Sequence, residues 1–452
     1  FQEGTKDLVS DGDNPEIAVI FEENRIRIQV DGSEGQTDLS RPEEKNVVKN
    51  ELKQLLYRML SAKTGKELPW GSLTGIRPAK IAMQLLEEGK TQEEIRSYME
   101  QTYYCSQEKA DLAIGIACRE KEILKDIHYE QGYSLYVGIP FCPTTCLYCS
   151  FTSFPITVWR ERVEEYLGAL EKEMDFVQEA FRDKVLDSVY IGGGTPTTLE
   201  PDQLRRLLSR LRETFDFSQV KEFTVEAGRA DSITADKLRV LKEFGVTRIS
   251  VNPQTMNQKT LDLIGRRHTV EQVKEAFALA RQEGFDNINM DLILGLPGED
   301  LPEVQHTMEE IKKLSPDSLT VHSLAVKKAS RMMQWIEKNG LGLLHNTEET
   351  IQLAARTAAE MNLHPYYLYR QKNMTGNLEN VGYAREGCYG LYNILIMEEK
   401  QSIMAIGAGT ISKAVHPAGR IGRCENVKEL PLYLEKIDEM IERKRRLLAY
   451  EG

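Results

Sequence analysis

The residues of this sequence best suited to metal chemistry are three cysteines within eight positions: Cys142, Cys146 and Cys149, spaced Cys-x3-Cys-x2-Cys. Three thiolates on one tight loop can bind three irons of a cubane iron–sulfur cluster, whereas an electron-transfer ferredoxin site supplies four cysteines. The fourth iron is then open to a small molecule. A zinc site or chance clustering is the alternative, but zinc ribbons usually contain paired Cys-x2-Cys elements, and the sequence has no second pair.

Other residue types that bind ligands follow short apolar runs. The Gly-Gly-Gly-Thr-Pro run at 192–196 lets a backbone approach a ligand closely and expose its N–H and C=O groups. A tight turn is the alternative. Glu226 could pair with a ligand ammonium or a ribose, or it could be a solvent-facing or salt-bridged glutamate. Asp291, in an otherwise apolar run, could accept from a ribose hydroxyl, as acidic residues do in dinucleotide sites.

Alternating strand and helix patterns must position these residues. Strands are predicted at 134–138, 186–191, 222–226, 248–251, 287–294 and 318–323, with helices at 159–181, 201–215, 234–244, 270–283 and 302–314. This alternation predicts parallel strands with right-handed crossovers. Active sites of parallel barrels gather at the carboxyl ends of the strands, which is where the candidate motifs lie. Six repeats instead of eight predict an α/β protein with a partial (βα)6 barrel.

The flanking residues differ from this core. Residues 1–130 are predicted to form an N-terminal α+β accessory domain with a hairpin at 16–30, residues 131–345 the barrel, and residues 346–452 a C-terminal α+β domain. In the last of these, 392–397 and 401–404 predict a hairpin. The final helix, from about Leu430, carries a basic run at 443–446 that predicts a solvated helix end.

The composition and net charge of the chain narrow the classes of molecule that it is expected to bind. The chain has 452 residues, enough for two or three domains, and a net charge of −12, which argues against nonspecific nucleic-acid binding. No apolar run approaches the roughly 18 residues that span a bilayer, so no membrane partner is expected. Seven cysteines in a chain of this length predict the reducing cytoplasm. The chain begins at Phe1 without a signal segment, and we expect that the natural N-terminus precedes it.

The stretch 136–151, which begins Tyr-Val-Gly-Ile-Pro-Phe-Cys, resembles the radical S-adenosylmethionine (radical SAM) superfamily. More narrowly, it resembles the oxygen-independent coproporphyrinogen III oxidase branch (HemN/HemW) and its HemZ-type members. The resemblance implies one [4Fe–4S] cluster on the three cysteines, with SAM chelating the open iron through its amino and carboxylate groups. One electron from the cluster then cleaves SAM to methionine and a 5′-deoxyadenosyl radical. The partial barrel is also what the resemblance implies.

The resemblance carries SAM contacts to matching positions of this chain: Tyr136, Tyr148, Gly193, Gly194, Thr195, Glu226, Gln254, Arg266, Asp291 and Ala325. In the family an arginine stands twelve residues after the glutamine, which selects Arg266 over Arg267. Gln254, Arg266, Asp291 and Ala325 match the contacts of a second SAM in the oxidase relative. One or two SAM molecules are therefore both open.

The implied reaction is oxidative decarboxylation of coproporphyrinogen III to protoporphyrinogen IX, with a reducing donor such as flavodoxin or ferredoxin. Three departures open alternatives. Gly138 stands where the oxidase has a histidine, Phe151 stands where it has a further cysteine, and 390–397 lacks the His and Trp of the chaperone's heme-binding motif. Other radical chemistry on a porphyrin or heme, such as ring opening or alkylation, and a heme carrier without turnover are the alternatives.

Two C-terminal stretches, 365–374 and 376–383, resemble HemZ-type sequences and mix aromatic residues with Arg370 and Lys372. Such a surface would suit a flat tetrapyrrole that carries several carboxylates, because rings stack and cations bind propionates. A packed C-terminal domain with exposed charges is the alternative. The Gly-Ala-Gly-Thr-Ile-Ser run at 407–412 resembles a family turn that returns to the active site.

Overall fold

The computed structural model describes residues 17–75, 77–327, 330–340, 342–371, 374, 378–416 and 419–449. Glu16, at the start of the predicted hairpin, and Lys372, in the predicted substrate surface, lie outside these ranges. The chain divides into two compact units, residues 1–115 and 116–452. The domain boundaries predicted at 130 and 345 stay predictions.

The first unit contains a three-stranded antiparallel sheet, β1 (Ile17–Glu22), β2 (Arg25–Val30) and β3 (Ser33–Asp38). β1 and β2 form the predicted hairpin. Ile26, Ile28 and Val30 point to one face of β2 and pack against Leu52 and Leu55 of the first helix. β3 is polar along its length, so it gave no apolar alternation to predict it. Its helices are α1 (Lys45–Thr64), α2 (Pro78–Glu87) and α3 (Gln92–Tyr103), and α4 (Gln107–Ile123) begins in this unit and ends in the second.

The second unit is built on an eleven-stranded sheet. Its central six strands are parallel neighbours in chain order: β4 (Gly132–Ile139), then, after two short strands β5 (Phe141–Cys142) and β6 (Phe154–Pro155), β7 (Val185–Gly193), β8 (Glu222–Glu226), β9 (Arg248–Ser250), β10 (Ile288–Leu294) and β11 (Ser318–Ser323). Further strands continue the sheet beyond β4 and β11, and its two edges are not paired with each other. The predicted α/β fold with an open barrel is therefore confirmed.

Helices connect the parallel strands: α5 (Ile156–Trp159), α6 (Val163–Ala180), α7 (Pro201–Thr214), α8 (Ala235–Glu243), α9 (Gln258–Leu263), α10 (Val270–Gln282) and α11 (Leu301–Leu314). A further helix, α12 (Met332–Asn339), follows β11. Their starts are encoded locally. Before α10, the Thr269 hydroxyl accepts the N–H of Gln272 at 3.1 Å, and the Gln272 side chain accepts the N–H of Thr269 at 2.8 Å. Such reciprocal caps satisfy N–H groups that a helix start leaves free.

The C-terminal residues extend both sides of this sheet. They form α13 (Glu348–Glu360), β12 (His364–Tyr369), β13 (Asn380–Ala384), α14 (Leu391–Glu398), β14 (Ser402–Ile406), β15 (Ile411–Val415), β16 (Ile421–Glu425), α15 (Leu430–Glu435) and α16 (Ile437–Ala449). β13 pairs antiparallel with β11, whereas β14 pairs parallel with β4. The sheet that carries the candidate motifs is therefore completed by residues far from them in sequence.

Two predictions for these residues are wrong. The hairpin at 392–404 is instead helix α14 followed by strand β14. α14 is buried on most of its surface, so its apolar run has no helical period and cannot be distinguished from a strand by pattern. The basic run at 443–446 is not wholly solvated, because the side chain of Lys444 is 1% exposed and bonds to Glu173 at 2.6 Å. In the part of the chain that the structure covers, no helix combines the length and apolarity that crossing a bilayer requires.

Candidate active site

Three adjoining cavities lie at the carboxyl ends and in the interior of the parallel strands. The cluster cavity, about 150 Å³, is lined by the three cysteines, Gly193, Gly194, Thr195, Tyr148, Glu226, Gln254, Arg266 and Asp291. The lumen cavity, about 540 Å³, includes Tyr136 in its lining, and the side cavity, about 180 Å³, includes Ala325. Asp291 and Phe151 line all three. The residues that the sequence nominated at separate strand ends are thus brought together.

The glycine run lies directly against the cysteine loop. Gly194 N donates to Ile139 O at 2.8 Å and Thr195 N donates to Phe141 O at 2.7 Å. A Cβ on Gly194 would stand 2.6 Å from Phe141 O and 3.0 Å from the Sγ of Cys142. Only glycine fits this approach, which keeps the backbone next to the cluster cavity.

The two acidic residues differ in their surroundings. Glu226 accepts a hydrogen bond of 2.6 Å from the hydroxyl of Tyr190. Burial raises the pKa of Glu226 to about 7, and the bond from Tyr190 opposes this rise. Asp291 is partly buried, and its carboxylate accepts from the Asn289 amide at 2.7 Å. A carboxyl whose pKa lies near neutrality is common at functional sites.

Gln254 has a left-handed backbone with φ of 69°. Its N–H donates to Asp291 O at 2.9 Å, and its C=O accepts from Ile293 N at 2.9 Å. These two bonds hold the residue against β10, with its side chain lining the cluster and side cavities. Non-glycine residues in this region of φ cost energy and concentrate at functional sites.

Comparison with known proteins agrees with this arrangement. The Radical SAM superfamily profile matches residues 136–311. The oxygen-independent coproporphyrinogen-III oxidase-like protein HemZ of Bacillus subtilis is 40% identical over 91% of this chain and 83% of its own. This chain belongs to the HemN/HemW/HemZ family of radical SAM proteins. The heme chaperone HemW of the same organism is 33% identical over 68% of this chain and 76% of its own.

The solved structure of coproporphyrinogen III oxidase, HemN, from Escherichia coli is similar to this chain with a TM-score of 0.55 and 25% identity, over 71% of this chain and 73% of that one. A [4Fe–4S] cluster and SAM are the cofactors of this radical SAM protein. Whether the residues present suit them can be judged from the cluster cavity itself.

The cysteines suit a cluster chemically. Burial raises the pKa of Cys142 to about 11, against a hydrogen bond from Thr195, and burial also raises the pKa of Cys149. The free thiols of Cys142 and Cys149 therefore stay protonated near neutral pH, and iron binding must displace their protons. Across the described ranges, no three His, Cys, Asp or Glu side chains converge on a single ion. In a cubane cluster each thiolate binds a different iron, so convergence on one point is not required.

Arg266 suits a ligand carboxylate. It is buried, donates to Asn252 O and to Gly228 O, the latter at 3.4 Å, and its Nε has no hydrogen-bond partner. Within the described chain, no carboxylate lies at salt-bridge distance from it. A buried guanidinium without a counter-ion is costly, and a bidentate carboxylate ligand would offset that cost.

Sequence reasoning did not single out Arg229, which directly adjoins this site. Its Nε and Nη2 bind both oxygens of Asp231, at 2.9 and 2.7 Å. Its Nη1 then lies 3.1 Å from the hydroxyl of Thr144 and 3.8 Å from the Sγ of Cys146. The position, three residues after Glu226 in a strand-end motif, was the available signal. His268 lies 4.0 Å from Asp231, and burial lowers the pKa of His268 to about 3, so its imidazole is neutral near pH 7.

Five tyrosines line the lumen cavity. Tyr136, Tyr190 and Tyr392 stack, with ring centroids 4.5 to 6.0 Å apart. Tyr367 and Tyr369 stack on each other at 6.2 Å and also line the cavity. Of these, sequence reasoning named Tyr136 as a SAM contact and included Tyr367 and Tyr369 in the aromatic stretch 365–374. It missed Tyr190, two residues before the glycine run on β7, and Tyr392, on a helix with no ligand-binding motif.

A contact with Thr410 explains why a glycine, Gly138, stands where the oxidase has a histidine. A Cβ at Gly138 would stand 2.5 Å from the Cγ2 of Thr410, in the turn at 407–410 that lines the lumen. The space of a larger side chain at position 138 is therefore filled by the methyl group of Thr410. A methyl group cannot donate a proton, so this position provides shape and no acid.

Proposed function

We propose that this protein is a radical SAM enzyme whose substrate is a tetrapyrrole, held in the lumen cavity below the cluster. The observation that carries the proposal is the contact between the two cavities: Gly193, Glu226, Phe151 and Asp291 line both. A volume of about 540 Å³ lies within the usual range of ligand pockets, roughly 300–1,000 Å³. Stacked tyrosines along one wall suit a planar or pyrrole-containing ligand.

In this proposal Cys142, Cys146 and Cys149 hold the cluster. The backbone at 193–195 and the guanidinium of Arg266 orient the amino and carboxylate groups of SAM. Glu226, Gln254 and Asp291 accept from its ribose or from a second SAM, with Ala325 beside an adenosine. When bound, a reduced cluster and SAM supply a radical that removes a hydrogen atom from the substrate.

Oxidative decarboxylation of coproporphyrinogen III is the reaction that relatives favour, since the solved E. coli relative is named coproporphyrinogen III oxidase. Each of the two propionates that react would lose one hydrogen atom to the deoxyadenosyl radical, one CO2, and one electron to a one-electron acceptor, and so become a vinyl group; the other two propionates stay unchanged. A flavodoxin or ferredoxin is the proposed donor of the initiating electron, and the cytoplasm is the proposed location.

A second candidate is different radical chemistry on a porphyrin or heme. The fit of Thr410 into the space beside Gly138 favours it, because a methyl group, which cannot donate a proton, stands where the oxidase has a histidine. A heme carrier is the third candidate, since one relative is named a heme chaperone.

One anaerobic assay separates these candidates. Reconstituted protein receives dithionite, SAM and coproporphyrinogen III, and the products are measured by mass spectrometry. We expect 5′-deoxyadenosine together with tetrapyrroles that have lost one and two CO2. Cys146→Ala abolishes both products, whereas Cys388→Ala, a free thiol that lines none of the three cavities, retains them.

Absence of 5′-deoxyadenosine from the wild-type protein contradicts the enzyme proposal. 5′-Deoxyadenosine without CO2 loss removes the oxidase reaction in favour of the second candidate. Stoichiometric heme binding in the absence of SAM cleavage favours the carrier.

A further inference from the structure

The floor of the lumen cavity carries a positive charge that the chemistry above does not use. Helix α14 covers the amino-terminal ends of the strands there, since Glu222, the first residue of β8, accepts the N–H of Leu391, the first residue of α14. Arg248, the first residue of β9, lines the cavity at this end. It is the single Lys or Arg among the described residues that line the lumen.

We infer that Arg248 and Ser250 form a carboxylate-binding subsite at the lumen floor, which takes one acidic side arm of an aromatic or pyrrole-containing substrate. This inference rests on the proposed function for the size and type of ligand. The ligand must present a carboxylate to the floor.

Part of the guanidinium group of Arg248 makes no hydrogen bond to the protein. The residue is 1% exposed. One terminal nitrogen donates to the hydroxyl of Ser318 at 3.2 Å, and the Nε has no partner. A buried guanidinium with an unmade hydrogen bond is costly, and a ligand oxygen would satisfy it.

The neighbouring acids do not neutralise Arg248 directly. Glu222 lies on the next strand, but its carboxylate accepts the N–H groups of Leu391 and, at 3.4 Å, Tyr392. Glu226 pairs across the strands with Ser250, two residues nearer the carboxyl end of β8 than the residue that pairs with Arg248. Its carboxylate accepts a hydrogen bond from Tyr190. Among the described residues no carboxylate forms a salt bridge with Arg248. The charge is therefore available to a ligand.

Ser250 supplies the second donor. It lies two residues after Arg248, so both side chains point to the same face of β9. Ser250 is 3% exposed and its hydroxyl has no partner. Its cross-strand neighbour Asn289 is already used, because its amide donates to Asp291 at 2.7 Å and its oxygen accepts from Thr320 at 3.2 Å.

The stacked tyrosines lie beside this floor, in the same cross-strand row as Arg248, since Tyr136 of β4 pairs with Tyr190 of β7. Tyr190 pairs across the strands with Thr224, which in turn pairs with Arg248. A ligand anchored at the floor by one carboxylate would lay its ring system along Tyr190 and Tyr136. Its opposite end would then reach the cavity that Gly193 and Glu226 share with the cluster. The subsite thus determines which end of the substrate meets the radical.

The test compares a ligand with and without carboxylates. Coproporphyrin III and its tetramethyl ester are titrated into reconstituted protein under anaerobic conditions at the same low detergent concentration, and binding is followed by porphyrin fluorescence anisotropy. We expect Arg248→Gln to weaken coproporphyrin III about tenfold or more, as loss of a charge-assisted bond implies, and to leave the ester unchanged. Ser250→Ala removes a single hydroxyl, and we expect it to weaken the binding of coproporphyrin III a few-fold. Melting temperatures check that both variants fold.

Equal loss for both ligands in Arg248→Gln, or no loss for the free acid in either variant, overturns the inference. If the wild-type protein binds neither porphyrin, the proposed function fails, and indole-3-propionate then tests the subsite alone. The subsite is retained if indole-3-propionate raises the melting temperature of the wild type and not that of Arg248→Gln. Neutral indole-3-propionamide must then stabilise neither protein. Absence of stabilisation in the wild type overturns it.

Discussion

The cluster cavity and the lumen cavity adjoin but are built differently. The cluster cavity is small, about 150 Å³, and is lined by thiols, glycines and two buried arginines, Arg229 and Arg266. The lumen is larger, about 540 Å³, and is lined by five tyrosines with one arginine at the floor. The first is made from loops that follow the strands, and the second from strand interiors and C-terminal elements.

This difference separates two tasks. Loops that meet at the strand ends can converge on one cofactor while the strands beneath them vary, which is how parallel barrels carry different chemistries. The wall of the lumen instead depends on the turn at 407–410 and on α14, which lie more than two hundred residues after the cysteines. Changes to either cavity are expected to leave the function of the other largely intact.

The largest expected effect is on the lumen side, at the ion pair of Lys444 with Glu173. Both side chains are at most 1% exposed, and Glu173 also accepts the N–H of Gly407 at 2.7 Å. Lys444→Met leaves a buried carboxylate uncompensated, and we expect it to destabilise the fold by about 3–5 kcal/mol. The melting temperature and urea midpoint of the reconstituted protein measure this.

Lys436→Met is the matched control for that variant. Lys436 lies 3.5 Å from Glu439 with both side chains about half exposed, so its loss is expected to cost only about 0–1 kcal/mol. A Lys444→Met protein as stable as this control would show that the Glu173 pair does not support the lumen wall.

The second effect is on the cluster side, at Arg229. Its guanidinium, held by Asp231, lies 3.8 Å from the Sγ of Cys146. A positive charge and an N–H donor near a cluster sulfur favour the reduced state. We expect Arg229→Gln to lower the ratio of reduced to oxidised cluster about tenfold at fixed potential, equal to about 59 mV for a one-electron couple. A redox titration followed by electron paramagnetic resonance measures the midpoint.

Arg239→Gln breaks an exposed arginine–aspartate pair instead and serves as the control. Porphyrin binding in the lumen is expected to be unchanged in Arg229→Gln. An unchanged or higher midpoint potential would contradict the proposed effect of the Arg229 charge on the cluster. A loss of porphyrin binding would contradict the separation of the two cavities.

The same contrast explains what the sequence could predict. Cys142, Gly194 and Glu226 lie in short motifs at or just after strand ends, so their neighbours could be inferred from the strand order alone. Lys444 looked like part of a solvated basic run because its partner, Glu173, is 271 positions away. The helix at 391–398 looked like a strand because burial on most sides removes the period that identifies a helix. Arg248 carried no motif, and only the closure of the lumen by α14 makes its charge notable.

The last effect is a pH dependence at Glu226, which lines both cavities. Burial raises its pKa to about 7, well above its ordinary value of 4.5. The folded protein therefore keeps this proton at pH values where the unfolded chain releases it. The stability contributed by the protonated carboxyl is fully present below about pH 4.5 and is lost as the pH rises to about 7.

Glu226→Gln removes this titration while retaining an acceptor for Tyr190, which donates at 2.6 Å. We expect the urea stability of the wild type, relative to the variant, to fall between about pH 4.5 and 7 by no more than about 1.4 kcal/mol per pH unit, the limit for one proton. Protein reconstituted with its cluster but without SAM is used, because a cationic ligand beside the carboxylate would favour ionisation. Added SAM then shifts the window to lower pH if Glu226 faces the cofactor. A window that SAM leaves in place would assign Glu226 to the lumen and its substrate instead.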